Sequence, residues 1–350
     1  QGKWYPGEPL PRWALSGYWR RDGEPVWADP QWLAEPTGSG AAGAQEAQAF
    51  AQGLARRLMV PRDFVKPGYE DGLYYLWKEG TLPPNVDVLD SKLSNALERK
   101  RLRRLFERGL DKVVGYALPL AWDPVGERWT SSRWEFRREQ MFLIPGDSPM
   151  GLRLPLDSLL WQEEKERQQE HPVDPFADRQ RLPGGVSNRY SYFEEAEPQW
   201  HGLQEQEMAD DATRKETFFV RSAICFEPRN GHLHVFLPPI AHLAHWLDLL
   251  QAIEATAAGI GQAVVLEGYP APHDPQLQRF SVTPDPGVIE VNIHPAESWE
   301  QLVENTHALY EEARLARLGT EKFMADGRHT GTGGGNHVTL GGPSPADSPM

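Results

Sequence analysis

Two apolar runs meet near Asn230-Gly231, and that dipeptide constrains the fold more than any other feature of the chain. Asn-Gly readily takes the left-handed backbone of a two-residue turn whose twist matches paired antiparallel strands. Thr217–Phe226 therefore reads as a strand and His232–Leu237 as its hairpin partner, with Pro228, Arg229, Asn230 and Gly231 between them. A helix is expected from about Ile240 to Ala258, with Leu243, Leu247, Leu250 and Ile253 on one stripe and Gly259 just past its end. Ala263–Gly268 and Gly287–His294 read as strands. Ser298 is placed to cap a helix running to about Leu318, with Gln301 completing a capping box and Gly319 as the stop. A strand at His337–Gly341 closes the series. Hairpins mixed with strand–helix alternation imply an α+β fold, an antiparallel or mixed sheet with helices on one face.

Upstream, residues 1–162 form a tryptophan-rich α+β region. It holds ten of the 13 tryptophans: Trp4, Trp13, Trp19, Trp27, Trp32, Trp77, Trp122, Trp129, Trp134 and Trp161. In a stretch short of aliphatic runs these are expected to build a core; the alternative is a stacking surface, which lacks the basic groove that nucleic acid requires. Helices are expected at Ala44–Met59, with Ala47, Phe50, Leu54 and Leu58 in period, and at Ser94–Arg108, whose basic cluster reads as a solvated face. Val113–Leu143 looks like strands separated by turns. It leads into the irregular loop Gly146-Asp-Ser-Pro-Met-Gly-Leu-Arg-Leu-Pro155, where Asp147 and Arg153 are candidate site residues. Residues 163–214 are rich in Glu, Gln, Asp, Pro and Arg and read as a mobile linker, too poor in apolar periodicity to offset the entropy of ordering. Residues 215–350 form the third region.

Composition narrows the classes. With 39% hydrophobic and 25% charged residues the chain is globular, and 350 residues suffice for two domains. A net charge of −14 argues against nucleic-acid partners. The single cysteine, Cys225, excludes an intrachain disulfide and suits a reducing compartment. No apolar run approaches the length of a membrane span, so no membrane partner and a cytoplasmic location are expected.

The chemistry is expected on strand faces. In Gly287-Val-Ile-Glu-Val-Asn-Ile-His294, Ile289, Val291 and Ile293 form an apolar face, while Glu290, Asn292 and His294 form the floor of a polar cleft. The same alternation places Arg221, Ala223, Cys225 and Glu227 together, puts His232 beside His234, and ends a strand with Glu267. Glu227, Glu267 and Glu290 are thereby placed to converge, and clustered carboxylates suit Mg²⁺ or Mn²⁺ bridging nucleotide phosphates. The run Arg328-His-Thr-Gly-Thr-Gly-Gly-Gly-Asn-His337 offers backbone N–H groups to an anion but is neither a P-loop nor a dinucleotide fingerprint. Cys225, with His232 and His234 on the next strand, raises a rival reading as a nucleophile.

The order of a glutamate-bearing strand, a long helix and Phe323-Met-Ala-Asp-Gly-Arg-His-Thr-Gly-Thr-Gly-Gly-Gly-Asn-His337 resembles glutamine synthetases over roughly residues 287–342. On that match Glu290 falls on a metal-binding glutamate, and Gly333, Gly335 and His337 on an Asn-Gly-Ser-Gly-Met-His loop. Thr332 departs from the loop's asparagine. The segments Gln1-Gly-Lys-Trp-Tyr-Pro-Gly-Glu-Pro-Leu-Pro-Arg-Trp13 and Gly146–Leu156, together with the glycine loop, resemble a large bacterial family of unknown function. Its full-length members carry an N-terminal transglutaminase-like domain and are proposed amidoligases. The resemblance implies a partial glutamine-synthetase-like ligase domain at 215–350, truncated at its C-terminus. The chain would then be an inactive fragment whose partners include missing N- and C-terminal parts of the same polypeptide. It also implies an ATP- and Mg²⁺-dependent carboxylate–amine ligase acting through an acyl phosphate on small-molecule or peptide carboxylate and amine substrates. In that scheme Glu227, Glu267 and Glu290 hold metal, Gly333, Gly334, Gly335, Asn336 and His337 cradle the nucleotide, and Arg221, Arg328 and His337 steady transferred charge. The competing readings are a transglutaminase-like cysteine hydrolase and a non-catalytic binding module.

Overall fold

A computed structural model describes residues 13–35, 37, 40–80, 105, 107, 109–161, 179, 181, 182, 219–285, 288–319, 321–331 and 341. In chain order the main elements are β1 (Leu15–Arg20), α1 (Ala44–Arg57), β2 (Lys66–Glu70), α2 (Gly72–Gly80), β3 (Val113–Pro119), β4 (Ala121–Asp123), β5 (Arg128–Thr130) and β6 (Met141–Leu143). They continue with β7 (Ala223–Arg229), β8 (His232–Leu237), α3 (Leu243–Ile260), β9 (Val264–Gly268), β10 (Leu277–Asp285), β11 (Val288–Asn292), α4 (Trp299–Leu315), β12 (Lys322–Phe323) and β13 (His329–Thr330). The class is mixed α+β, as expected. The chain divides into two compact units: residues 27–172 with 182–272, and residues 1–26 with 173–181 and 273–350.

The larger unit is built on one six-stranded mixed sheet, ordered β6-β2-β3-β7-β8-β9. The outer pairs β6–β2 and β8–β9 are parallel and the inner ones antiparallel. Strands from the tryptophan-rich stretch and from beyond residue 214 therefore share one sheet. The Asn230-Gly231 turn forms as expected, with φ of 52° and 79°. Gly231 is needed twice over, because a Cβ there would also overlap the Gly40 backbone.

Helix α1 covers the face carrying Phe226, which meets Phe50 of α1 at 5.7 Å between ring centroids, and α3 packs against α1. The expected stripe of Ala47, Phe50, Leu54 and Leu58 is buried. Gly53 lets the two helices close up: a Cβ there would stand 3.0 Å from Ile260 Cδ1 and 3.3 Å from Thr256 Cγ2. α3 runs past Gly259, the expected stop, and ends where Gly261 takes φ 73°. On the opposite face Ala117, Cys225 and Phe236 pack with Trp134, Met141, Leu143, Met150 and Leu154. The tryptophans only partly build the core. Trp129 and Trp134 are buried, each with its indole N–H satisfied, by Asp248 Oδ2 at 2.7 Å and by the Val220 carbonyl at 2.8 Å. Trp13, Trp77 and Trp161 are more than half exposed. The expected helix at 94–108, nearly all of the linker at 163–214 and the strand at 337–341 lie outside the described residues, apart from single positions.

The smaller unit holds the antiparallel sheet β1-β10-β11 and α4. Ser298 caps α4 by accepting from the Gln301 N–H at 3.1 Å, while the Gln301 side chain accepts from Glu297 N rather than from the cap itself. On the sheet, Thr283 faces Glu290 and Ser281 faces Asn292. The polar face is the more covered one at its centre: Ser281 and Thr283 are buried, whereas Ile289 and Ile293 of the expected apolar face are exposed.

Candidate functional site

Strand geometry concentrates the charge in the larger unit. On β7 the pleat puts Cys225, Glu227 and Arg229 on one face. Glu227 lies directly opposite His234 on β8, and Cys225 opposite Phe236. β9 runs parallel beyond, so Glu267 sits beside Phe236. Arg229 reaches across the hairpin: its guanidinium bonds Glu267 Oε2, and its Nε stands 3.5 Å from Glu227 Oε2. His234 Nδ1 is 3.4 Å from Glu267 Oε2, an electrostatic contact rather than an aligned hydrogen bond.

The two carboxyls shift in opposite directions. Burial raises the Glu227 carboxyl; the Arg229 cation and the Met150 N–H, 3.0 Å away, oppose that without cancelling it. Burial would also raise Glu267, but the His234 imidazole and the Arg229 guanidinium outweigh it and hold the carboxyl below the usual range. Two carboxylates with divergent environments, bridged by one cation, are the arrangement from which acid and base roles are drawn. Three polar atoms here, Glu267 Oε1, Arg229 Nε and His234 Nδ1, are shut from solvent and meet no hydrogen-bond partner among the described residues.

The expected site residues divide. Glu227 and Glu267 come together, with Arg229 lying between them. Glu290 belongs to the smaller unit and accepts from Asn292 Nδ2 at 2.8 Å. Arg221 is engaged structurally, donating to the Leu156 and Leu160 carbonyls at 2.7 and 2.9 Å. Arg328 is largely exposed and bonds Asp326 at 2.7 Å. Gly333, Gly334, Gly335, Asn336 and His337 lie outside the described residues. Among the described residues no three His, Cys, Asp or Glu side chains are grouped to hold a metal. Arg153 is buried against Glu70.

A family model described as "Putative amidoligase enzyme (DUF2126)" matches residues 1–350. The chain belongs to this family. No curated protein and no solved structure matches it. No helix among the described residues is long and apolar enough to cross a membrane.

Within this amidoligase family member, Cys225, the rival nucleophile, lies inside the sheet. It is fully buried, and burial together with the Glu227 and Glu267 charges raises its thiol well above the ordinary value. Sequence reasoning missed Arg229 as the bridging cation and Glu70 as the partner of Arg153. The signal for Arg229 was present, since it stands two residues beyond Glu227 on the same face, ahead of the turn. Nothing local marks Glu70, whose partner is 83 residues away.

Proposed function

We propose that this chain carries part of an ATP- and Mg²⁺-dependent amidoligase site, and that the Glu227–Arg229–His234–Glu267 cluster belongs to it. Membership of the amidoligase family supports the reaction class. The single observation that carries the location is the buried Glu227 and the half-buried Glu267, with opposed shifts, bridged by Arg229.

The reaction has two steps. The carboxylate substrate takes the γ-phosphoryl group of ATP, giving an acyl phosphate and ADP. A neutral amine then attacks the acyl carbon, the C–N bond forms, phosphate leaves and a proton passes to a base. Little covalent work falls to the protein; positioning and charge neutralisation carry the rate.

A magnesium ion takes one or two protein carboxylates and completes its shell with water and phosphate oxygens, and the Glu227–Glu267 pair offers that number. Glu227 and Glu267 would hold it, and the ion would supply charge neutralisation at the phosphates. Arg229, released from the carboxylates, is long enough to meet a phosphate oxygen. His234 keeps Glu267 ionised.

The test follows oxygen. With a carboxylate substrate labelled with ¹⁸O, the acyl-phosphate route delivers one label into the released phosphate. Label in phosphate is the expected outcome; amide formation with unlabelled phosphate would refute the route. Glu227→Gln and Glu267→Gln are each expected to lower Mg²⁺-dependent ATP turnover by about a hundredfold or more. Undiminished turnover in Glu227→Gln and Glu267→Gln would remove the cluster from the site.

A further inference from the structure

The irregular loop between β6 and the buried Arg153 is tied down through Ile144, Met150, Gly151 and Arg153. Its neck closes twice: Ile144 N–H donates to the Arg153 carbonyl at 2.8 Å, and Arg153 Nε donates to the Ile144 carbonyl at 2.7 Å. The rest of the Arg153 guanidinium forks onto both oxygens of Glu70 on β2, a buried bidentate pair. Met150 is fully buried in a notch that exists because two facing residues lack side chains. A Cβ on Gly68 would come within 2.8 Å of Met150 Cε, and one on Gly115 within 2.9 Å of Met150 Sδ and 3.1 Å of Glu227 Cα. Gly151 lies flat on the Phe236 ring, where a Cβ would overlap it. What the loop delivers to the strand face is one backbone donor, the Met150 N–H, 3.0 Å from Glu227 Oε2.

We infer that Ile144–Arg153 is a positioning strap, whose Met150 N–H fixes the Glu227 carboxylate by one oxygen and leaves the other to act. This rests on the proposed placement of Glu227 in the amidoligase site. Met150 is here a positioning residue; it acts through Glu227. A loop serving only to cover apolar surface would need the Met150 side chain but not its N–H. The strap needs the N–H.

Proline separates the two. Pro149 has φ −47° and ψ 144°, the extended conformation that a following proline requires, and Met150 opens a short helical turn, where proline is well accommodated. Met150→Pro therefore deletes the donor while keeping the backbone path. Met150→Ala loses the same side chain and keeps the donor. Hydrogen bonds to charged groups are strong enough that Met150→Pro is expected to turn over Mg-ATP about tenfold more slowly than Met150→Ala, in kcat rather than KM. Equal kcat in the two variants would overturn the strap.

A spectroscopic measurement needs neither variant. The sequence has six methionines, so ¹⁵N-methionine labelling gives few amide signals. The Met150 amide proton is expected to resonate downfield in the unsubstituted protein and to move upfield in Glu227→Gln; no movement would overturn the strap even if Met150→Pro failed to fold. If Glu227→Gln retains full ATP turnover, the site reading fails instead. If Glu227→Gln is inactive while Met150→Pro matches Met150→Ala, only the strap fails.

Discussion

Glu227 and Glu267 sit on the same sheet face and share one arginine, yet they respond to pH with opposite sign. Glu267 is held below its ordinary value of 4.5, so its contribution to stability is present above that pH and is lost as pH falls through the lower folded value. Glu227 is raised above 4.5, so the folded state binds its proton more readily, and its contribution is lost as pH rises through the folded value. At pH 7 Glu267→Gln is therefore expected to destabilise, by about 1–3 kcal/mol after allowing for partial exposure. Glu227→Gln is expected to be neutral or stabilising. Urea melts of both variants at pH 7 check this; destabilisation of equal size in both would show that the two carboxyls do not differ in environment. Cys225 belongs to the same neighbourhood, and alkylation by iodoacetamide is expected only on unfolding. Rapid modification of the native protein would reopen the nucleophile reading. At this scale the carboxylates were legible because strand alternation assigns faces. Their counter-ion was not, because which cation a carboxylate meets depends on side-chain reach across neighbouring strands.

The elements were legible wherever turn or capping chemistry is local. Asn230-Gly231, the Ser298 cap and the apolar period of α1 each act within a few residues, and each appears in the structure close to its expected place. Substituting Gly231 by Ala tests the turn. With φ 79° and the Gly40 backbone against it, the variant is expected to lose at least about 1–2 kcal/mol, read as a drop in the urea midpoint. An unchanged midpoint would mean that the turn is not held in the left-handed region. Substituting Ser298 by Ala should cost about 1 kcal/mol, seen by the same measurement if α4 unfolds with the sheet. Strand β10 escaped sequence reading. Residues Leu277–Asp285 mix Gln, Arg, Ser and Thr with apolar residues and contain Pro284, and their pairing partner β1 is more than 250 residues away. Pairing at that separation leaves no local trace, and it also explains why Ser281 and Thr283 are buried on a strand whose apolar residues are not.

Taken whole, the molecule does not divide where its composition changes. The tryptophan-rich stretch supplies β2, β3 and β6 to the sheet that the Asn-Gly hairpin completes, so the larger unit draws on both sides of the polar segment at 163–214. The family assignment spans all 350 residues and therefore covers both compact units, with Glu227 and Glu267 in one and Glu290 in the other. The central claim is that the cluster in the larger unit binds a metal-bridged nucleotide. Isothermal titration of ATP into the protein, with and without Mg²⁺, tests it most directly. The expected result is binding that needs Mg²⁺ and weakens about tenfold or more in both Glu227→Gln and Glu267→Gln, with near-ultraviolet circular dichroism unchanged. Mg²⁺-dependent binding of equal strength in the unsubstituted protein and both variants would contradict the account.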